Sequence, residues 1–229
     1  MNKVLKILAE ILLAAVAVGL VYLIYKSVMQ PVNFNKEKAH REQVGIQRLK
    51  DIRTLQVAFK GVNSRFTADI DSLIQFYNEG KMEIVMQIGS NDDSLAVANT
   101  QRIKMFNPFI KSEELLERYR AGERLVFSTK ITIPVRDTLF NGREDFCVDS
   151  LPYIPFSGGK KVEMEAIVKT VSGVQVPLFE ARMPYKYLLQ GMDHQLIVNL
   201  NAEREDQSKY PGLQVGSVTM PNNNAGNWE

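Results

Sequence analysis

Cysteine and histidine, the side chains that most often act as nucleophile and base, are scarce in this chain. Its 229 residues include one cysteine, Cys147, and two histidines. A nucleophilic cysteine needs a base within hydrogen-bond reach, but His40 lies in a segment predicted to be helical and His194 begins a predicted strand. Cys147 stands between Phe146 and Val148, which is typical of a small buried hydrophobic residue. The pattern favours a packing role for this cysteine over catalysis.

Two acidic residues flank the cysteine and would be the carboxylate pair of a hydrolase. A turn or the end of a strand explains Asp145 and Asp149 equally well. The chain has no spacing typical of a phosphate-binding loop, a zinc site or a nucleophile elbow, and a strand-like run follows SGGKK at 157–161. We therefore predict no enzyme activity, and an anchored hydrolase that uses Cys147 or the carboxylates remains an alternative.

Charge and cysteine content argue against two further kinds of site. The 28 basic and 26 acidic residues are mixed along the chain and give a formal net charge of +2, without the basic footprint of a nucleic-acid-binding protein. A single cysteine allows no intrachain disulfide and no multi-cysteine metal site. The fold must therefore be held by packing and hydrogen bonds, and no nucleic-acid partner is expected.

The strongest apolar run lies near the amino terminus. Residues 7–25, ILAEILLAAVAVGLVYLIY, are apolar except for Glu10, and as a helix they would reach about 28 Å, close to the hydrocarbon thickness of a bilayer. The alternative is a cleaved secretory signal with AVA as its cleavage site. Because the run continues past AVA and the glutamate interrupts it, we predict an uncleaved transmembrane anchor. Five positions mark the span: Ile7, Glu10, Leu13, Gly19 and Tyr25.

An amphipathic pattern follows the span. Six apolar residues recur at spacings of three and four beyond Pro31, which predicts a helix with one face for burial or association. The proline leaves open whether span and amphipathic segment form two helices or one bent helix. We expect a tail and transmembrane helix over 1–30, an amphipathic helix over 31–62 and an extracytoplasmic domain over 63–229. The packing face comprises Ile46, Leu49, Ile52, Leu55, Phe59 and Val62.

The remaining sequence predicts an α+β domain. Thr67 or Asp69 can cap a short helix through DIDSLIQFYNE that ends at Gly80, and Ser112 can cap a helix through SEELLERYRAG. TVSGVQV predicts a β-hairpin. Five segments are β-branched or alternating, as strands are: KMEIVMQIG, RLVFSTKITIPVRDTLF, KKVEMEAIVKTV, VQVPLFEARM and HQLIVNLNAE.

Two stretches resemble the type IV pilin and type II secretion pseudopilin superfamily. In that family an apolar helix with an early glutamate runs on as an amphipathic helix and turns onto an antiparallel sheet, as IRTLQVAFKGVNSRFTADIDSL at 52–73 does here. LQVGSVTMPNNNAGNWE at 213–229 is similar to the end of the major pseudopilin. The resemblance covers roughly residues 7–78 and 213–229, and the region 80–210 has no assigned counterpart.

The resemblance implies a pilin-like fold, with a long transmembrane and amphipathic helix packed on an antiparallel β-rich domain. It further implies a single-pass protein of the inner (cytoplasmic) membrane with a cytoplasmic amino terminus, a periplasmic domain, and association with its own copies or with other membrane and secretion components. Lys26, Lys36, Lys38 and Arg41 follow the span, and this charge distribution mildly favours the opposite orientation. The family's peptidase cuts after a glycine before the glutamate, but KVLKILA contains none.

The carboxyl-terminal loop departs from the family in its metal ligands. The resemblance places asparagines where the family has the aspartates of a calcium site, and neutral carboxamides bind calcium weakly. No cofactor is therefore predicted, with calcium as the one candidate. We expect the asparagines to hydrogen-bond their own turns and to position Trp228 against the sheet. The candidate ligands are Asn222, Asn223, Asn224 and Asn227.

Two readings of function follow. The first is a pseudopilin-like structural subunit that associates through its long helix. The second is a membrane-anchored binding or adaptor module, which predicts an exposed apolar patch or cleft in the region 80–210.

Overall fold

The computed structural model describes residues 3–171 and 173–229, and their side chains from residue 10 onward. The chain is mixed helix and antiparallel sheet, so the α+β class is confirmed. It divides into two compact units, one formed by residues up to Arg53 with Asp149–Glu229 and the other by Thr54–Val148. A short 3-10 helix at Val148–Ser150 joins them in sequence.

Helix α1, Lys3–Asn63, is continuous, so Pro31 lies inside one helix and does not separate two. Proline lacks the N–H for one intrahelical bond but otherwise suits the helical φ angle. The helix ends where Asn63 Nδ2 donates to the Phe59 carbonyl at 3.1 Å. Ser64 then takes a left-handed φ of 59°, and its N–H donates to the Lys60 carbonyl.

The first unit contains a three-stranded antiparallel sheet formed, in this order, by Glu163–Val171 (β3), Val174–Pro184 (β4) and Gly212–Gly216 (β5). The predicted hairpin is confirmed, because Val171 pairs with Val174 and the strands stay in register to Glu163 and Arg182. Ser172, in the turn, lies outside the described residues. The elements are β3 (Glu163–Val171), β4 (Val174–Pro184), α6 (Tyr185–Leu188), α7 (His194–Asp206) and β5 (Gly212–Gly216).

The central strand β4 separates an apolar face from a polar one. Phe179, Ala181 and Met183 alternate along it and are fully buried, as the period of two in a strand requires. On the opposite face Arg182 Nη1 lies 3.2 Å from Glu180 Oε1, and its Nε lies 3.6 Å from Glu163 Oε2. The buried Glu180 carboxylate is therefore paired with a cation.

One strand prediction was wrong. The segment HQLIVNLNAE forms helix α7, although Ile197 and Val198 favour strands. Asp193 Oδ1 accepts a hydrogen bond from the Leu196 N–H at 3.0 Å and caps the helix. A cap contributes about 1 kcal/mol, enough to offset what two β-branched residues lose in a helix. The third strand is formed instead by Gly212–Gly216.

The second unit has one two-stranded antiparallel sheet, with Lys81 opposite Pro134 and Ile88 opposite Phe127. Helices α3 (Ser94–Phe106) and α4 (Ser112–Arg120) lie between these strands in sequence. A buried cluster of Ile88, Leu115, Leu125 and Phe127 forms part of its core. The elements are α2 (Ile70–Glu79), β1 (Lys81–Ile88), α3 (Ser94–Phe106), α4 (Ser112–Arg120), β2 (Phe127–Pro134) and α5 (Val135–Thr138).

The predicted helix boundaries in this unit are confirmed in part. Asp69 caps α2 by accepting from the N–H groups of Asp71 and Ser72, and Gly80 ends that helix. Ser112 does not cap α4: it is the first helical residue, and Lys111 occupies the cap position without a side-chain bond. The sequence prediction missed α3, which Asp93 caps.

Candidate functional site

The predicted span is an exposed part of helix α1. Every residue from Glu10 to Val28 is exposed, including Leu13, Gly19 and Tyr25. The side chain of Ile7 lies outside the described residues. This one helix is long and apolar enough to cross a membrane, and none of its most apolar window is buried. An apolar surface of this size is rare on a soluble monomer and is typical of surfaces that contact lipid or other proteins.

Aromatic and basic residues mark the carboxyl end of the exposed run. Tyr22 and Tyr25 lie one turn apart, and Lys26 follows them. Tyrosines are enriched where a span meets the headgroup layer, and lysine extends its ammonium toward water. The sequence prediction used Tyr25 only as the end of the run, although the three-residue spacing from Tyr22 already indicates an interfacial pair.

The predicted packing face is buried through its middle. Leu49, Ile52 and Leu55 are fully buried, while Ile46 and Phe59 are half-buried. Phe59 meets Phe76 edge-on, with ring centroids 5.3 Å apart.

Val62 departs from the prediction, because 47 % of it is exposed. It lies in the last turn of α1, one residue before the helix ends at Asn63, and the buried stripe stops one turn earlier.

Polar contacts join α1 to the carboxyl-terminal part of its own unit; we call this line of contacts the seam. Gln30 Nε2 donates to Asp193 Oδ2 at 2.6 Å, and Arg41 Nη1 donates to the Gln190 carbonyl at 2.9 Å. From Gln30 to Arg53 the seam follows roughly 35 Å of helix. Two further arginines continue it: Arg48 donates to the Tyr153 carbonyl at 2.6 Å, and Arg53 to Glu229 Oε1 at 2.7 Å.

Close apposition at the seam depends on Gly45. A Cβ atom at this position would lie 2.8 Å from Leu213 Cδ1 and 3.4 Å from Leu188 Cδ1. Glycine therefore lets the helix backbone approach β5 and α6. The sequence prediction missed Gly45 and the arginines, although both stand beside the apolar stripe that it identified.

A buried tyrosine forms the centre of the seam. Tyr185 Oη donates to Glu42 Oε1 at 2.5 Å and accepts from Arg204 Nη2 at 2.8 Å. Burial, together with the hydrogen bond to the Glu42 carboxylate, raises the pKa of Tyr185 to about 12. This network joins α1, α6 and α7, whose members are too far apart in sequence to be paired by any local pattern.

Replacing Tyr185 by phenylalanine tests this network through its pH dependence. Since the unfolded chain loses the phenolic proton near pH 10 and the native chain near 12, stability is complete below pH 10 and falls as the pH rises toward 12. We expect Tyr185→Phe to lower the free energy of unfolding by about 2 kcal/mol at pH 7. This deficit should shrink by roughly 1 kcal/mol between pH 9 and 11.

Denaturant titration at several pH values measures both quantities, with Tyr187→Phe, two residues away and half-buried, as the matched control. A deficit that stays constant with pH would contradict the raised pKa of Tyr185, because the phenol would then lose its proton at the same pH in the native and unfolded chains.

The asparagine-rich tail pairs with β5. Asn227 donates from Nδ2 to the Gly212 carbonyl at 2.9 Å and accepts at Oδ1 from the Gln214 N–H at 3.1 Å. Asn222 Nδ2 donates to the Ala225 carbonyl within its own turn. Asn223 and Asn224 take left-handed φ angles of 55° and 57°. Asn227 is one of the four candidate calcium ligands, and both its Oδ1 and its Nδ2 are used in these hydrogen bonds.

Trp228 folds over the tail. A Cβ atom at Gly226 would clash with the indole ring, so any other residue there would require the ring to move. The indole Nε1 is buried and has no hydrogen-bond partner among the described residues. Among all the residues that the structure describes, no group of three or more His, Cys, Asp or Glu side chains is arranged to hold a metal ion.

The candidate catalytic residues lie in different surroundings from those expected. Cys147 is exposed, so the prediction of a buried cysteine was wrong; it follows a loop held by ring stacking of Phe140 on Phe146 at 3.9 Å. The Arg143 guanidinium bonds the Asp145 carboxylate at 2.8 Å and lowers its pKa. Asp149 is exposed.

The two histidines both belong to the first unit, whereas Cys147 belongs to the second. His40 lies on α1 with its ring 6.1 Å from that of Phe156, and His194 begins α7.

Comparison of the chain with protein-family models, with curated proteins and with solved structures gives no match. The proposals below therefore depend on the residues, on the geometry just described and on the resemblance given under Sequence analysis.

Proposed function

We propose that this protein is a single-pass, membrane-anchored structural subunit of a bacterial envelope or secretion assembly, similar to a pseudopilin. The observation that carries the proposal is a contrast along one continuous helix. From Glu10 to Val28 the helix is exposed and almost wholly apolar, and from Gln30 to Arg53 it is hydrogen-bonded to the sheet unit. Such a helix would transmit position and force from the bilayer to the folded unit without a flexible linker.

The buried stripe limits how copies associate. Leu49, Ile52 and Leu55 are fully buried within their own chain, so they do not present a face to another subunit. Association through the helix would then use the exposed span, where van der Waals packing and small residues bring helices together in lipid. No atom lies within 4 Å of the position that a Cβ atom would take at Gly19. This glycine would therefore allow a second helix to approach closely. The resemblance supports an inner-membrane location with a periplasmic domain.

Intact mass and in-cell cross-linking test this proposal. In a Cys147→Ser background, we expect Leu13→Cys to give self-cross-linked species in native membranes and the exposed Gln43→Cys, on the same helix, to give few. The intact mass should begin at Met1. A truncated mass would contradict the uncleaved anchor, and the absence of self-cross-links from residue 13 would contradict association through the span.

One observation favours a second candidate, a membrane-anchored adaptor. At the end of α3 and in the loop that follows it, Phe106 and Phe109 are 87 % and 91 % exposed, while Ile103 and Ile110 pack against the core of the same unit. Outward aromatic residues at one loop form the kind of apolar patch that docks proteins. Met105, also exposed, extends the patch.

The adaptor candidate predicts contacts made by this loop. Photo-cross-linking from a probe at Met105 should capture proteins other than the chain itself, and Phe106→Ser/Phe109→Ser should reduce capture without lowering thermal stability. Val85→Ser removes an exposed apolar side chain elsewhere in the unit and is the matched control. Equal capture by both variants would contradict this candidate.

A further inference from the structure

Strand β3 has one edge paired and one edge open. It pairs with β4 over nine residues, from Glu163 opposite Arg182 to Val171 opposite Val174. Its other edge pairs with no strand among the described residues. The strand contains neither proline nor glycine, and Val168 near its middle is 56 % exposed. Long regular edges of this kind are templates for another strand, and proteins usually block them.

The central five residues of β3, 165–169, are complementary to themselves when reversed. Ile167 is the midpoint of Glu163–Val171, so antiparallel pairing with a second copy about this residue aligns all nine positions. Glu165 then lies opposite Lys169 of the copy, and the two-fold axis repeats this pair. Ala166 faces Val168, and Ile167 faces its own counterpart. Opposite charges and apolar residues in direct cross-strand pairs stabilise a sheet.

The neighbours of these charges within the chain increase the effect. Glu165 lies directly opposite Glu180 on β4, and like charges in that position are destabilising; the Arg182 guanidinium, 3.2 Å from Glu180, offsets only part of this repulsion. A lysine from a second copy would offset this repulsion from the open side. The Lys169 ammonium donates to the Thr219 carbonyl at 2.7 Å, which uses one of its three hydrogens and leaves two for another acceptor.

The midpoint register is favoured over its nearest rival. Shifting the axis to Ala166 brings Glu163 opposite Lys169, but it also places Glu165 opposite Ile167 and leaves the strand end without a partner. Glu163 is moreover already close to Arg182 at 3.6 Å. The axis at Ile167 forms the Glu165–Lys169 pair twice and sets Ala166 opposite Val168, while its outer pairs set Glu163 opposite Val171 and Met164 opposite Thr170.

We propose that two copies of this protein join edge to edge through β3, antiparallel about Ile167, so that their three-stranded sheets become one six-stranded sheet. The surface is isologous, as in a two-fold homodimer, and the main-chain hydrogen bonds of strand addition provide the binding. This contact goes beyond the proposed function, because it uses the sheet and is independent of the span.

Disulfide cross-linking of the full chain in its native membranes tests the register. In a Cys147→Ser background, copies carrying Glu165→Cys are co-expressed with differently tagged copies carrying Lys169→Cys and oxidised. Opposite residues lie about 5 Å apart between Cα atoms, and like-numbered residues 165 roughly 13 Å apart. The mixed 165–169 species should therefore exceed the 165–165 species by about ten-fold. Equal yields, or a higher mixed yield when Glu163→Cys replaces Glu165→Cys, would overturn the proposal.

Charge exchange separates pairing from chance collision. With Ile167→Cys as the reporter, Lys169→Glu should reduce the 167–167 cross-link several-fold, and Glu165→Lys/Lys169→Glu should restore it. Val174→Cys, exposed on β4, is the control site and should not cross-link. Leu13→Cys reports span association separately and should be unaffected by the charge variants. A yield of the 167–167 cross-link that neither charge variant changes would refute β3 pairing, whether or not Leu13→Cys forms cross-links.

Discussion

Lysines at both Leu13 and Leu20 are expected to release the protein from membranes. Both side chains are exposed on α1 within the apolar run. A lysine near the centre of a span costs about 3 kcal/mol on insertion scales, and snorkelling recovers part of this cost. The two lysines together should therefore make the free energy of membrane insertion less favourable by roughly 4–6 kcal/mol. This corresponds to about three to four orders of magnitude in the partition coefficient between membrane and water.

The fraction that resists alkaline carbonate extraction measures this effect. The control is Val28→Lys/Val32→Lys, the same chemical change at two exposed positions of the same helix beyond Lys26, which should leave the protein in the membrane fraction. Since none of these four side chains is buried, the melting temperature of the folded units should change little. If the Leu13→Lys/Leu20→Lys variant stays in the membrane fraction, residues 7–25 are ruled out as the anchor.

Replacing Leu49 by alanine is expected to produce the largest loss of stability from a single change on α1. Leu49 is fully buried, and Leu→Ala changes at such sites cost about 3–5 kcal/mol because a cavity is added to the lost burial. For a chain of this size the melting temperature should fall by roughly 10 °C. The exposed Gln43, less than two turns away, provides the control Gln43→Ala, which should change stability by less than about 0.5 kcal/mol.

The Leu49 variant also separates two uses of the amphipathic stripe. If the stripe holds its own chain together, Leu49→Ala lowers the melting temperature of the purified protein in detergent at any concentration. If it served instead to join subunits, the variant would melt like the parent protein at low concentration and lose only its cross-linked species. Thermal melting at two protein concentrations distinguishes these outcomes.

Local patterns predicted the elements whose periodicity is strong and failed where weak signals competed. The stripe through Leu49, the hairpin at Val171 and the cap at Asp69 follow from spacing and turn chemistry within a few residues. HQLIVNLNAE was misassigned because its β-branched residues suggested a strand, whereas the Asp193 cap and its position after α6 make it a helix. Cys147 was placed in the core because its neighbours are apolar, but its loop leaves it exposed.

The sequence by itself determined an apolar run long enough to span a bilayer, the amphipathic helix behind it and the α+β class. These properties depend on composition and on periods of two and 3.6 residues, which local sequence expresses directly. Only the tertiary structure decided that one helix continues through Pro31, that the middle of the stripe is buried in its own chain, and that β3 has an open edge. The physical reason is sequence separation: Tyr185 lies 143 positions from Glu42 and Asp193 lies 163 positions from Gln30, and which residues meet at such distances depends on the path of the whole chain.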